Sequence, residues 1–244
     1  MDKIGICREN LELVLDGHGV LAGFSTREGG VSGGAYASLN LGDHVGDDPQ
    51  NVAQNREILA AALGIAPQNL KFMRQIHSNK VEILRAGSDE IPPCDGLVTD
   101  LRSVALCVLV ADCSPVLIAD ERRGVVAAVH AGRAGVIGRI CTNAINLMSE
   151  RFGCVAAELK VFVGANIKAR SYELGGLDLG EFECYKTQGH FDMNAALRDE
   201  LAAAGVRNVK FDPRCTFESE RHFSYRRDSV TGRFCGFVMN KLCG

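Results

Sequence analysis

The chain has 244 residues, 46% of them hydrophobic, with only 6 prolines, 27 scattered glycines and a formal net charge of −3. This composition supports a sizeable core and shows no linker, repeat, charge block or low-complexity tract, so a single domain over residues 1–244 is expected. The faintly acidic balance excludes an electrostatic footprint for nucleic acid or anionic lipid, and no apolar run reaches the roughly 18 residues of a membrane span.

The first ten residues carry Lys3, Arg8 and Glu9 and no apolar run of signal-peptide length, which leads to the expectation of a cytoplasmic protein. Ten cysteines without a Cys-x-x-Cys pair are read as thiols of a reducing compartment. Residues 19–25 read as a strand entering the loop Thr26-Arg27-Glu28-Gly29-Gly30, where paired glycines permit either a ligand-hugging backbone or an ordinary turn. Asp48 and Pro49 open a helix with Val52, Ile58, Leu59 and Leu63 at helical spacing, ending at Gly64. Strand-like residues 70–73 and 81–84 flank a polar break, 74–79, that contains His77. Asp95-Gly96 reads as a turn into the most apolar part of the chain.

That part comprises three strand-like runs, residues 104–110, 116–119 and 125–129, the last two separated by Asp120-Glu121-Arg122-Arg123-Gly124. A hairpin turning between residues 121 and 122 would set Cys113 opposite His130, and directly opposed Cβ atoms lie about 4.5 to 5.5 Å apart. One metal ion could bridge such a pair, and His77 offers a third ligand, which leaves the vacant position of a catalytic zinc site. The residue types alone equally allow a turn histidine, a strand-end histidine and a buried thiol.

Beyond His130, Val136, Ile140, Ala144 and Met148 form a helical stripe beside Ile137, Cys141 and Ile145. The expected helix starts at Gly132-Arg133, where free N–H groups and Arg133 would favour an anion. Residues 159–163 read as a strand, followed by the loop 164–176 with Arg170 as a candidate phosphate ligand at the strand exit. Asp192 caps a helix through Leu197 and Leu201 to Gly205, and residues 206–211 return as a strand. Residues 222–225 and 233–239 read as a terminal hairpin. Strands outnumber helices and several pair as hairpins, so the expected class is α+β, with mixed, largely hairpin-connected sheets and packed helices, rather than a parallel βαβ sheet.

Several motifs resemble the YfiH-like family, described as multicopper polyphenol oxidase, laccase, or purine nucleoside phosphorylase. They are Gln75-Ile76-His77, Ala111-Asp112-Cys113-Ser114-Pro115-Val116-Leu117 and Ala128-Val129-His130-Ala131-Gly132. Ser25 to Ser32 with Ser38-Leu39-Asn40-Leu41-Gly42 resembles its amino-terminal signature, and Arg214-Cys215-Thr216 with Phe223 to Asp228 its carboxy-terminal one. The resemblance implies that His77, Cys113 and His130 are zinc ligands and catalytic residues. It also suggests Asp95 as an acid orienting a ligand or substrate, with Arg27, Asn40, Arg133 and Arg170 at the substrate. Two runs depart from the family pattern. Its Ala-Gly-Trp-Arg-Gly reads Ala131-Gly132-Arg133-Ala134-Gly135, and its Gly-Pro-x-Ile-Gly-Pro reads Gly164-Ala165-Asn166-Ile167-Lys168-Ala169.

The activity implied is zinc-dependent phosphorolysis of adenosine, inosine and methylthioadenosine, with adenosine deamination; the partners are a nucleoside and phosphate. The alternatives are copper-dependent phenol oxidation, a noncatalytic zinc-shaped ligand-binding or quality-control protein, and a cysteine hydrolase with Cys113 as nucleophile. A multicopper centre requires many histidines, and the chain has 6.

Overall fold

The computed structural model describes residues 11–17, 19–87 and 90–241; the polar stretch 1–10 and His18 lie outside them. The strands are, in chain order, β1 (Glu12–Gly17), β2 (Val20–Phe24), β3 (Leu70–Phe72), β4 (Val81–Ile83), β5 (Gly96–Thr99), β6 (Ala105–Val110), β7 (Ser114–Asp120), β8 (Val125–Ala131), β9 (Lys160–Val163), β10 (Lys186–Thr187), β11 (His190–Phe191), β12 (Asn208–Phe211) and β13 (Phe234–Asn240). The α-helices are α1 (Pro49–Leu63), α2 (Arg133–Ile137), α3 (Ile140–Phe152), α4 (Met193–Ala203) and α5 (Tyr225–Asp228). None of them is long and apolar enough to cross a membrane.

Two mixed sheets make the body of an α+β fold. One runs β1-β2-β13-β6-β3, the other β12-β9-β7-β8-β5-β4, and β10 pairs with β11 separately. Strand alternation explains the layering. In β6, Leu106, Val108 and Val110 join Leu117 of β7 and Val126 and Ala128 of β8 in a core between the sheets. The opposite faces go outward: Ala105, Cys107 and Leu109 pack with Leu59 and Leu63 of α1, while Val125, Ala127 and Val129 pack with α3 and α4. Strands covered on both faces read as unbroken apolar runs, which is why residues 104–129 stood out in the sequence.

The predicted caps are present. Asp48 accepts from the Gln50 N–H at 2.8 Å, and α1 ends at Gly64 with φ 70°. Asp192 accepts from the Ala195 N–H at 2.9 Å at the start of α4.

Four local expectations are corrected. The β7–β8 hairpin pairs Pro115 with His130 and Ser114 with Ala131, so Cys113 is not directly opposite His130. The turn is the four-residue segment 121–124: Asp120 accepts from the N–H groups of Arg122 and Arg123 at 3.1 and 3.0 Å, and Gly124 takes φ 65°. The helix after His130 is two helices, broken at Gly138 and at Arg139, whose φ is 55°; the Asn79 side chain donates to the Gly138 carbonyl there at 2.9 Å. The terminal hairpin is absent: residues 222–224 lead into α5, and β13 runs antiparallel to both β2 and β6. Finally, β1 pairs with β2 as a hairpin that the sequence reading did not include.

Candidate active site

Two of the crossovers between the sheets each carry a candidate metal ligand. His77 lies on the connection from β3 to β4, and Cys113 on the connection from β6 to β7. His130, next to last in β8, continues the inter-sheet face of Val126 and Ala128, since side chains two apart share a face. The donor atoms of His77, Cys113 and His130 all lie within 4.8 Å of one another. The two imidazoles meet edge to face, with centroids 4.8 Å apart and planes at 84°. The register correction explains how this survives: a residue diagonal by two positions still shares the face.

One buried carboxylate holds two of the three ligands. Asp95 accepts from His130 Nδ1–H at 2.8 Å, which leaves Nε2 as the donor atom for an ion. It also accepts from the backbone N–H groups of Ile76, His77 and Ser78 at 3.3, 3.0 and 2.6 Å, and from Ser78 Oγ at 2.7 Å. These bonds stabilise the left-handed backbone of His77, φ 57°. Cys113 follows Asp112, itself at φ 89°, whose carboxylate accepts from Thr216 Oγ1 and the Arg226 N–H, both at 2.7 Å.

Space for an ion is kept by Gly132. A Cβ there would stand 3.0 Å from Cys113 Sγ, 3.4 Å from His77 Cδ2 and 3.6 Å from His130 Cε1. Its φ of −77° is open to any residue, so what the position requires is room, not glycine's backbone freedom.

The electrostatics prepare the ligands. Burial opposes a thiolate at Cys113, but the His130 and His77 imidazoles outweigh it and bring the thiol down to about 6. Burial likewise opposes charge on His130, yet Cys113 and Asp95 overcome it and raise the ring to about 9. Asp95 is held down at about 2, against burial, by its bonds from His130 and Ser78. Each shift favours the charged form, thiolate at Cys113, imidazolium at His130 and carboxylate at Asp95, and metal binding would displace the His130 proton. Two imidazoles and a thiolate suit zinc, and also copper. The triad is the one cluster of three or more such ligands among the described residues.

The triad lines a cavity of about 690 Å³, together with Gln75, Asp112, Tyr172, Tyr225, Arg226 and Arg233. Sequence reasoning singled out none of these six as site residues. Of the expected substrate residues, Arg133 lines this cavity. The five-residue α2 behind it is too short for the helix-terminus anion site that was expected. Asp95 holds ligands and does not line the cavity. Arg27 is turned away, donating to the Ala37 carbonyl at 2.7 Å and lying over the Phe223 ring. Asn40 is fully buried and acts indirectly, accepting from the Arg233 N–H at 2.8 Å and from the Gly42 N–H at 3.0 Å. Arg170 is exposed and paired with Glu218, outside the cavity lining. In the second departing run, Asn166 donates to Ser114 Oγ at 2.5 Å and to Asn194 at 2.8 Å, and Lys168 donates to Asn166 and to the Asp212 carbonyl. That network backs Ile167, the residue of the run that reaches the cavity.

Known proteins share this chain's sequence and fold. A family model described as multi-copper polyphenol oxidoreductase laccase matches residues 21–241. A purine nucleoside phosphorylase of Corynebacterium glutamicum is 43% identical over 227 residues, covering 88% of this chain and 92% of that protein. Another, from Mycobacterium tuberculosis, is 39% identical with 88% and 89% covered, and the YfiH purine nucleoside phosphorylase of Shigella flexneri is 33% identical with 90% and 93% covered. Among solved structures, a Neisseria meningitidis protein of the DUF152 family superposes with a TM-score of 0.84 at 35% identity, covering 95% and 99% of the two chains. A Bacillus licheniformis YfiH protein gives 0.86 at 27% identity, with 94% and 96% covered. On this agreement of sequence over nearly the whole chain with fold, the chain belongs to the YfiH family, also named DUF152, whose sequence model carries the multi-copper polyphenol oxidoreductase laccase description.

Proposed function

We propose that the chain is a cytoplasmic, zinc-dependent purine nucleoside phosphorylase acting on adenosine, inosine and methylthioadenosine, with adenosine deaminase activity. The observation that carries this reading is the convergence of His77, Cys113 and His130 on the wall of a cavity large enough for a small ligand. The names of the relatives support the reaction class. When bound to these three residues, zinc would supply a Lewis acid with a vacant coordination position.

The chain's own residues account for the remaining work. Asp95 fixes the His130 ring and the His77 loop, so the ligands need no rearrangement to receive an ion. Tyr172, Tyr225 and Ile167 give the cavity apolar and aromatic surface against which a purine can pack. Burial raises the Tyr172 phenol above its ordinary value, so it stays a neutral hydrogen-bond donor across the physiological range. In phosphorolysis a phosphate oxygen bonds to C1′ of the sugar as the C1′–N bond breaks. The bond's electron pair leaves with the base, and the proton lost by hydrogen phosphate ends on the base nitrogen.

Zinc-loaded protein given adenosine and phosphate should yield adenine and ribose 1-phosphate, and inosine from the deaminase reaction. Absence of all three products refutes the assignment. The description of the family model favours copper as a second reading, and two imidazoles with a thiolate would bind it. Elemental analysis of the purified protein, with a visible spectrum for a copper–thiolate band, separates the two metals.

A further inference from the structure

The cavity holds more cationic charge than the metal site accounts for. Arg133, Arg226 and Arg233 all line it, and none pairs with a carboxylate among the described residues. Several arginines elsewhere pair with carboxylates: Arg56 with Asp43, Arg139 with Glu181, Arg170 with Glu218 and Arg214 with Glu12. The cavity trio is held differently. Arg233 Nη1 donates to the carbonyls of Thr231 and Gly232 at 3.0 and 2.9 Å, and its backbone N–H is tied to buried Asn40. Arg226 Nη1 donates to the Glu173 carbonyl at 3.0 Å, and its guanidinium lies over the Tyr172 ring at 5.1 Å. A carbonyl fixes a guanidinium in place without cancelling its charge, and it leaves Nε and Nη2 of both arginines with no acceptor among the described residues. The Arg133 guanidinium makes no hydrogen bond or ion pair within that set. The cavity's one carboxylate, Asp112, is already engaged by Thr216 and the Arg226 N–H. The trio also sits close to the metal ligands: Tyr172 feels the charges of Cys113, Arg133 and Arg226 together, and Arg233 feels Cys113 and Asp112.

Resting on the phosphorylase reading, we propose that Arg133, Arg226 and Arg233 form the seat of inorganic phosphate, beside the metal ligands. Planar guanidinium groups with uncommitted donor edges match the oxygens of a tetrahedral dianion. Arg226 and Arg233 are pre-set by carbonyls, whereas Arg133 is free to close on the anion. The family pattern has tryptophan at the position of Arg133 and its arginine one residue later, where this chain has Ala134, so the cation here is shifted by one position.

The test is phosphate titration by calorimetry on zinc-loaded protein, paired with phosphate saturation kinetics, for wild type, Arg133→Gln, Arg226→Gln, Arg233→Gln and the remote control Arg122→Gln. Each cavity variant should weaken phosphate binding and raise the KM for phosphate by about tenfold or more, well beyond any change in the nucleoside KM, with the zinc content unchanged. Phosphate-independent conversion of adenosine to inosine serves as the internal measure of an intact site. Unchanged phosphate affinity in all three cavity variants overturns the seat and leaves the phosphorylase reading standing. Phosphate binding that the variants abolish, in a protein that releases no free base, supports the seat and removes the phosphorylase reading. Binding of a nucleoside 5′-monophosphate without any binding of inorganic phosphate also overturns it.

Discussion

His77 and His130 reach the same thiol from opposite kinds of backbone. His130 is 3% exposed, on a strand hydrogen-bonded to both neighbours, and its direction follows from strand alternation. His77 is exposed, on a polar loop in a left-handed conformation that nothing in its own segment would enforce. What makes them equivalent is Asp95, which grips one by its ring nitrogen and the other by its backbone. A ligand on a strand can be specified by its sheet; one on a loop needs a remote carboxylate to specify it.

Four variants would break or sharpen that contrast. The largest effect is expected from ligand loss. His130→Ala should abolish stoichiometric zinc, measured by elemental analysis after dialysis. Asp95→Asn should lower zinc affinity by about 10- to 100-fold while keeping all three ligands. The Asp95→Asn variant should also lose amide exchange protection at residues 76–78, because three N–H groups lose their charged acceptor. Unaltered protection there would show that the loop is held by something other than Asp95.

A smaller effect is expected at Gly132. Gly132→Ala places a methyl group 3.0 Å from Cys113 Sγ at a backbone angle alanine accepts readily. Zinc affinity should fall by about tenfold, with thermal stability of the metal-free protein changed by roughly 1 kcal/mol or less. A large loss of Tm in the metal-free state would mean that the glycine serves packing instead.

The smallest effect concerns a third histidine, for which the charges of Glu12 and Asp212 do not offset burial. His222 is fully buried against Phe234, shares a 2.8 Å hydrogen bond with Ser219 Oγ, and is pushed down from 6.5 to about 4, chiefly by burial. Its folded form binds a proton more weakly than the unfolded chain does. Its contribution is therefore complete above pH 6.5 and is lost as pH falls toward 4. Chemical denaturation across that window should show a declining unfolding free energy, and His222→Gln should flatten the decline. An identical slope in the variant would assign the acid sensitivity elsewhere.

The fold class and its apolar strand runs were more legible than the residues around the cavity. Helix caps at Asp48 and Asp192 could be read because a cap is a local arrangement of a few residues. The runs of β6, β7 and β8 could be read because burial on both faces leaves an unbroken apolar signature. The β7–β8 register was missed because it depends on Asp120 wrapping the turn, and the break between α2 and α3 because it depends on Asn79, far away in sequence. The partners of β13 are β2 and β6, at the other end of the chain and in its middle, and no local pattern announces such pairings. Arginine roles were the least readable. Arg170 and Arg233 look alike as letters, and only the neighbours distinguish the one neutralised by Glu218 from the one moored to carbonyls.

The crossovers that carry His77 and Cys113 would give a metal bound there a mechanical role. His77 and Cys113 each sit where the chain leaves one sheet for the other, and His130 ends a strand of the second. An ion shared among them would act as a rivet through both plates of the sandwich. Its removal would let that end of the sandwich breathe, and the same bonds that complete the chemistry would keep the two halves in step.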